Sequence, residues 1–190
     1  MLVLASTSVY RRALLSRLGF GFDVDSPEID EQALAGESAP QTALRLARAK
    51  AEAVAPRHPG TYIIGSDQVA ELDGARLGKP GNHERAAEQL RKASGRTVVF
   101  HTAVALLHAD TGRVRTRLVL TRVVFRPLSD AQIDAYLRRE QPYDCAGSAK
   151  SEGLGIALLR AQEGEDPTAL IGLPLIALVD LLAEEGISVV

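Results

Sequence analysis

Segments that favour β-strands and segments that favour α-helices alternate along the whole chain, with turn signals between them. The apolar run at 2–5 predicts a buried strand, and TYIIGSDQVAEL at 61–72 predicts a second strand. Asp73-Gly74 is a hairpin signal, and a longer strand pair is expected at 97–125 around the turn at 109–112. Because strands, helices and hairpins are interspersed, we expect an α/β fold with a mixed β-sheet flanked by helices, in two lobes around a deep cleft.

Cap residues mark the beginnings of several predicted helices. Leucines recur at helical spacing before Gly19, so a first helix should end there. Ser38 with Gln41 and Ser129 with Gln132 have the spacing of a capping box. The later predicted helices are LRLARAKAEAVA at 44–55, HERAAEQLRKAS at 83–94, DAQIDAYLRRE at 130–140 and a last helix from Pro174 to about Glu185. A further strand is predicted for GIALLRA at 155–161.

Length and charge narrow the class of protein. A chain of 190 residues most often forms one domain, which we expect to span residues 1–190. The formal net charge of −2 disfavours a nucleic-acid-binding module, which needs a basic face. The single cysteine, Cys145, is expected to be a small buried hydrophobe rather than a nucleophile. We expect no signal peptide and no membrane-spanning run, hence a cytoplasmic protein without a membrane or nucleic-acid partner.

The first predicted strand runs directly into the segment STSVYRR at 6–12. A helix that begins within this segment would direct free backbone N–H groups out of the turn, where they favour phosphate. Hydroxyls of Ser6 and Ser8 add donors, and Arg11 or Arg12 can bind phosphate oxygens in bidentate fashion. The alternative is a simple N-cap followed by two solvated arginines.

Asp67 lies in the middle of an apolar strand segment, just after Gly65-Ser66. A carboxylate there is costly unless it is paired, hydrogen-bonded or bound to a metal. It can ligate a hard cation such as Mg²⁺ or accept a proton from water. The alternative is a solvent-facing aspartate where the strand frays.

Three loops carry further candidate residues. Asp30-Glu31 are adjacent acids after Pro27, and Lys79 is held between Gly78 and Pro80. The segment GSAKSEG at 147–153 combines small residues with one cation and one anion. Each of these loops could equally be an ordinary surface connection, although function concentrates in loops.

In their order along the chain, these motifs resemble those of the Maf-like nucleotide pyrophosphatases. The resemblance covers essentially the whole chain. It rests on S-T-S-x-x-R-R, D-E, R-L-A-x-x-K-A, G-S-D-Q-V, G-K-P, A-G-S-x-K-S-E-G and I-G-L-P-L. Gln68 and the sequence Ser-x-Lys-Ser-Glu-Gly are similar to the branch that hydrolyses 7-methyl-GTP.

The resemblance implies hydrolysis of a nucleoside triphosphate between its α and β phosphates, in a nucleotide-binding cleft. Asp67 would be the catalytic carboxylate and a metal ligand, with Glu31 also near the metal. The cofactor would be a divalent cation, Mg²⁺ or Mn²⁺. The residues expected to bind substrate phosphates, or to line the same site, are Ser6, Ser8, Arg11, Arg12, Lys50 and Lys79.

Three positions match those that set base preference in the family, namely Tyr10, Gln68 and Glu152. Methylation at N7 makes guanine cationic, which favours an aromatic face and a nearby carboxylate. Tyr10 would then stack on the base, and Glu152 would accept hydrogen bonds from the guanine edge. The branch that hydrolyses 7-methyl-GTP often has Trp at the position of Tyr10, which is a larger aromatic surface.

Two other functions stay open on the sequence alone. One is a pyrophosphatase for dTTP, UTP or another modified nucleotide, against which Gln68 and Glu152 argue. The other is a non-catalytic nucleotide-binding regulator of cell division, which would not need Asp67. The family also leads us to expect a homodimer with a small-molecule nucleotide as substrate.

Overall fold

A computed structural model describes all residues from Met1 to Val190. The chain divides into two compact units. Unit 1 comprises 1–68, 102–119 and 166–190, and unit 2 comprises 69–101 and 120–165. No helix in the structure is long and apolar enough to cross a bilayer.

Seven strands and five α-helices form the fold. The strands are β1 (Leu2–Ala5), β2 (Phe22–Asp25), β3 (Tyr62–Leu72), β4 (Ala75–Leu77), β5 (Thr97–His108), β6 (Val114–Phe125) and β7 (Leu159–Gly164). The α-helices are α1 (Val9–Ser16), α2 (Ala39–Val54), α3 (His83–Ala93), α4 (Asp130–Glu140) and α5 (Leu175–Glu184).

The strands build one mixed sheet in the order β2-β1-β3-β5-β6-β7, and β4 pairs with β3. β1 runs parallel to both β2 and β3, whereas β4 is antiparallel to β3 and β7 is antiparallel to β6. The predicted α/β class with a mixed sheet is therefore confirmed.

The sheet of unit 1 is covered on both faces because its strands are apolar on both sides. Leu4 and Ile64 pack on one face with leucines of α1 and α5. Val3 and Ile63 pack on the other face with residues of α2, which include Ala51. A parallel strand buried in this way reads as a continuous apolar run, as β1 does.

Local capping signals identified the helices well. Ser38 N donates to Gln41 Oε1 (2.8 Å) before α2, and Ser129 N donates to Gln132 Oε1 (2.9 Å) before α4. Asn82 Oδ1 accepts from the backbone of Arg85 (2.9 Å) at the start of α3. These bonds satisfy donors that a helix start would otherwise leave without partners.

Two local predictions were incomplete. The strand predicted from 155 begins only at Leu159, because Leu154–Leu158 form a 3₁₀-helix. A Cβ on Gly155 would lie 2.5 Å from the backbone oxygen of Lys150, so the chain folds tightly onto itself there. The edge strand β2 was not predicted, since its four residues are at most partly buried and carry no continuous apolar run.

Candidate active site

Two serines organise the turn between β1 and α1 in unit 1. Ser6 is buried, and its Oγ accepts a hydrogen bond from the backbone N–H of Ser8 (3.1 Å). Ser8 is the N-cap of α1, and its Oγ accepts from the backbone N–H of Arg11 (3.3 Å). The predicted N-cap is thus present. Each hydroxyl keeps a hydrogen that can donate to an anion in front of the turn.

The two arginines of this segment differ in their environment. Arg11 is half-buried, and its Nε donates to the backbone oxygen of Gly172 (2.8 Å). Arg12 is exposed to solvent. Burial lowers the pKa of Arg11, and the negative charges of Asp67 and Glu31 oppose that effect. The guanidinium therefore lies in the field of both predicted metal-binding acids.

Asp67 is buried in the middle of β3, which excludes the alternative of a frayed strand end. Its Oδ1 accepts from Lys50 Nζ at 2.7 Å, and the same ammonium lies 2.6 Å from Glu31 Oε1. Lys50 is itself buried, whereas Glu31 is about half exposed. We call Glu31, Lys50 and Asp67 the acid–lysine group.

Two opposing effects act on the Asp67 carboxyl. Burial raises the pKa of Asp67 above the usual range, because the charged form loses its hydration. The charge and hydrogen bond of Lys50, and then the charge of Arg11, act to lower that pKa, whereas Glu31 raises it. Burial has the larger effect, and the charges of Lys50 and Arg11 make the rise in the pKa of Asp67 smaller.

Gly65 explains how Lys50 comes so close to Asp67. An added Cβ at Gly65 would lie 2.1 Å from the backbone oxygen of Ala47 and 2.9 Å from the backbone nitrogen of Ala51. Only glycine therefore permits the direct contact of β3 with the backbone of α2. This approach brings the one buried lysine of α2 against the aspartate two residues further along β3.

Ser66 and Gln68 alternate with Asp67 along β3 and contact other parts of unit 1. Ser66 Oγ lies 2.8 Å from the backbone oxygens of both Ala103 and Gly172. Gln68 Nε2 lies 3.0 Å from the backbone oxygens of Ala169 and Leu170. The predicted base-preference residue Gln68 thus has its amide nitrogen turned toward the chain itself.

Tyr10, Lys79 and Glu152 are the remaining predicted site residues. Tyr10 is half-buried in the first turn of α1, within unit 1. Lys79 and Glu152 belong to unit 2, and both are exposed in loops. The sequence-predicted residues that the structure brings together by contact or electrostatic influence are Glu31, Lys50, Asp67 and Arg11.

Glu140 holds the loop that carries Glu152, a role that the sequence did not reveal. Its carboxylate accepts from the backbone N–H of Leu154 (2.7 Å) and forms an ion pair with Lys150 (3.2 Å). A Cβ on Gly153 would lie 2.7 Å from Glu140 Oε1, so the carboxylate would have to shift to accept a side chain there. Gly153, directly after Glu152 in sequence, is the signal that could have indicated close packing there.

Glu31 and Asp67 are the residues that fit a divalent cation. No group of three or more His, Cys, Asp and Glu side chains is arranged to hold a metal ion. Two carboxylates that share one ammonium are nevertheless hard oxygen donors, and Mg²⁺ is commonly held by one or two carboxylates together with substrate phosphates. The donor set therefore suits a cation that binds together with a polyphosphate.

The chain is similar over nearly its whole length to proteins that bear one name. The chain is 61% identical over 188 residues to a protein of Thiobacillus denitrificans named 7-methyl-GTP pyrophosphatase, covering 99% of this chain and 94% of that protein. It is 60% identical over 185 residues to a protein of the same name from Cupriavidus pinatubonensis, covering 97% and 93%.

One similar solved structure is the Ham1 protein of Staphylococcus aureus, with 17% identity and a TM-score of 0.47 over 66% of this chain and 72% of that one. That similarity is too partial to carry a conclusion. The model of the family described as "Maf-like protein" matches residues 1–185. The chain therefore belongs to the Maf-like protein family.

Proposed function

We propose that the protein hydrolyses 7-methyl-GTP to 7-methyl-GMP and pyrophosphate. Relatives that are about 60% identical over nearly the full chain bear the name of that activity. The observation within the molecule that carries the proposal is the buried Asp67 carboxylate, which contacts Lys50 and lies in the field of Arg11.

Asp67 is the proposed general base. Hydrolysis adds one water across the anhydride between the α and β phosphates, so a proton must leave the attacking water. Adjacent cations favour the ionised form of this buried carboxylate, and an ionised carboxylate can take that proton. Lys50 and Arg11 act here by favouring the ionised form of Asp67.

Cations and hydroxyls of unit 1 are proposed to bind the phosphates. The Nε of Arg11 donates to the backbone oxygen of Gly172, which leaves the terminal N–H groups of its guanidinium for phosphate oxygens. Lys50 has three N–H donors, and two of them are directed at Asp67 and Glu31. Ser6, Ser8 and Arg12 are the other residues of unit 1 that are proposed to bind phosphate. Lys79 also stays a predicted phosphate-binding residue.

Tyr10 and Glu152 are proposed to set the preference for a methylated base. An aromatic face and a carboxylate both favour a cationic purine over a neutral one. Gln68 also stays a predicted base-preference residue. Its amide nitrogen faces the chain, so a direct contact with the base would have to use its carboxamide oxygen.

A divalent cation, Mg²⁺ or Mn²⁺, is the proposed cofactor, held by Glu31 and Asp67. When bound, it would neutralise charge that develops on phosphate oxygens. A cytoplasmic location, a homodimer and the absence of nucleic-acid and membrane partners also stay predictions.

Pyrophosphate release from a panel of triphosphates tests the proposal. The panel contains 7-methyl-GTP, GTP, dTTP, UTP and CTP, each with Mg²⁺, with Mn²⁺ and with excess EDTA. We expect 7-methyl-GTP to have the highest kcat/KM, and EDTA to abolish its turnover. Preference for dTTP or UTP would contradict the proposed base, and binding without turnover of any nucleotide would favour the regulator.

A further inference from the structure

Four side chains of unit 1 converge on the short segment from Ala169 to Gly172, which we call the 169–172 loop. Gln68, Thr102, Ser66 and Arg11 all lie within hydrogen-bond distance of its backbone oxygens. Ser66 and Gln68 come from β3, on either side of Asp67 in sequence, and Arg11 comes from α1. The loop therefore connects the strand of the proposed base with a proposed phosphate-binding arginine.

The amide of Gln68 fixes one end of the 169–172 loop. Its Nε2 lies 3.0 Å from the backbone oxygens of Ala169 and Leu170, and 3.0 Å from Thr102 Oγ1. Thr102 Oγ1 in turn donates to the oxygen of Ala169 (3.0 Å). Only the nitrogen end of the carboxamide is compatible with two carbonyl oxygens, so the orientation of Gln68 is set by the loop.

Gly172 at the other end of the loop holds Arg11. Its oxygen accepts from Arg11 Nε at 2.8 Å. Its φ is +122°, a conformation that L side chains rarely adopt, and an added Cβ would lie 3.4 Å from the same Nε. The guanidinium is thus oriented by a backbone carbonyl whose position depends on the path of the loop.

The segments next to the loop are anchored as well. Asp166 is buried and accepts from the backbone N–H of Ile176 (2.7 Å). Thr168 Oγ1 lies between Asp166 Oδ1 (2.7 Å) and the oxygen of Leu173 (2.8 Å). With its flanks held in this way, the loop has few ways to move except by losing its contacts with β3 and β5.

We infer that Gln68 is a positioning residue that acts on phosphate binding through Arg11. By holding the 169–172 loop, Gln68 keeps the Gly172 carbonyl where it orients the Arg11 guanidinium. The inference rests on the phosphate-binding role proposed for Arg11. It assigns to Gln68 a role in phosphate binding beside its predicted role in base preference.

Binding of inorganic pyrophosphate, measured by calorimetry, tests this inference without any nucleobase. Gln68→Met keeps the length of the side chain and removes its hydrogen bonds. We expect pyrophosphate to bind about 10-fold more weakly, in line with the loss of bonds to buried carbonyls.

A double-mutant cycle with Arg11→Ala separates positioning from a general structural defect. If Gln68 acts through Arg11, Gln68→Met should have little further effect in the Arg11→Ala protein, because the coupled contribution is already lost. A general structural defect would weaken binding equally in both backgrounds. Gln162→Met, at an exposed position of β7, is the matched control and should leave binding unchanged.

Thr102→Val is the milder variant if Gln68→Met does not fold, and it should weaken pyrophosphate binding less but in the same direction. Unchanged pyrophosphate binding by the folded Gln68→Met protein would overturn the inference. Equal effects with and without Arg11, or no pyrophosphate binding by the wild type, would also overturn it. If pyrophosphate binding depends on Gln68 but the wild type does not turn over 7-methyl-GTP, only the proposed function is contradicted.

Discussion

Lys50 Nζ lies 2.7 Å from Asp67 Oδ1, and both side chains are buried. The two residues are 17 positions apart in sequence and come from α2 and β3. A buried charge is costly without a partner, and Lys50 stabilises the ionised form of Asp67. The pair therefore links the stability of unit 1 to the protonation state of its proposed general base.

Lys50→Met should move the acid limb of the pH dependence of kcat/KM to higher pH. The charge and hydrogen bond of Lys50 lower the pKa of Asp67, so removal of Lys50 lets burial raise that pKa further. The acid limb should therefore lie at higher pH in Lys50→Met than in the wild type. Activity at neutral pH should fall accordingly, and part of it should return as the pH is raised.

The control for this prediction is Lys92→Met, which removes an exposed lysine that pairs with Glu88 on α3. It should leave the pH profile in place. A Lys50→Met protein that is folded and has an unshifted acid limb would show that Lys50 does not set the protonation of Asp67.

Gly65→Ala should destabilise the protein and lower its activity together. The new Cβ would lie 2.1 Å from the backbone oxygen of Ala47, so β3 and α2 must separate. Overpacking of this kind typically costs about 1–3 kcal/mol in the free energy of unfolding, which urea denaturation measures. Gly21→Ala is the control, since nothing lies near its added Cβ and its effect should stay within about 0.5 kcal/mol. Equal stability of the two variants would contradict the close contact.

Features with local causes were predictable from the sequence. The capping boxes at Ser38 and Ser129 need only residues three positions apart. The turn at Asp73-Gly74 needs two residues that tolerate positive φ, and both adopt it. Such signals are complete within a few residues of chain, so no tertiary contact has to be known.

Features with distant causes were not predictable in the same way. Arg11 and Gly172 are 161 positions apart, and no local pattern indicates their hydrogen bond. The strand predicted at 155–161 begins only at Leu159, because the packing of Gly155 against Lys150 depends on the fold of that loop. Asp67 was identified as a candidate from its apolar context, but its partner Lys50 was assigned to phosphate and not to the carboxylate.

Glu152→Gln should reduce the preference for the methylated base. The substitution keeps the shape of the side chain and removes the charge that favours a cationic purine. We expect the 7-methyl-GTP to GTP ratio of kcat/KM to fall by an amount equivalent to about 1–3 kcal/mol. Glu163→Gln, at an exposed position of β7, is the control and should leave that ratio unchanged. An unaltered ratio in Glu152→Gln would refute the base-reading role.

Cys145 should react slowly with iodoacetamide in the native protein at pH 8. Burial, together with adjacent Asp144, raises the pKa of the Cys145 thiol to about 12. The thiolate is the reactive form, so only roughly 10⁻⁴ of the thiol is available at that pH. Labelling followed by mass spectrometry should show fast modification in urea and little without it. Rapid labelling of the native protein would contradict the assignment of Cys145 as an inert residue.

Asp67 is the proposed general base of pyrophosphate release from 7-methyl-GTP. The most direct measurement is turnover of 7-methyl-GTP by the Asp67→Asn protein beside wild type, with folding checked by circular dichroism. We predict that the wild type releases pyrophosphate and that the folded variant has no measurable turnover, because an amide cannot accept the proton. Turnover by folded Asp67→Asn at a rate close to wild type would contradict the account.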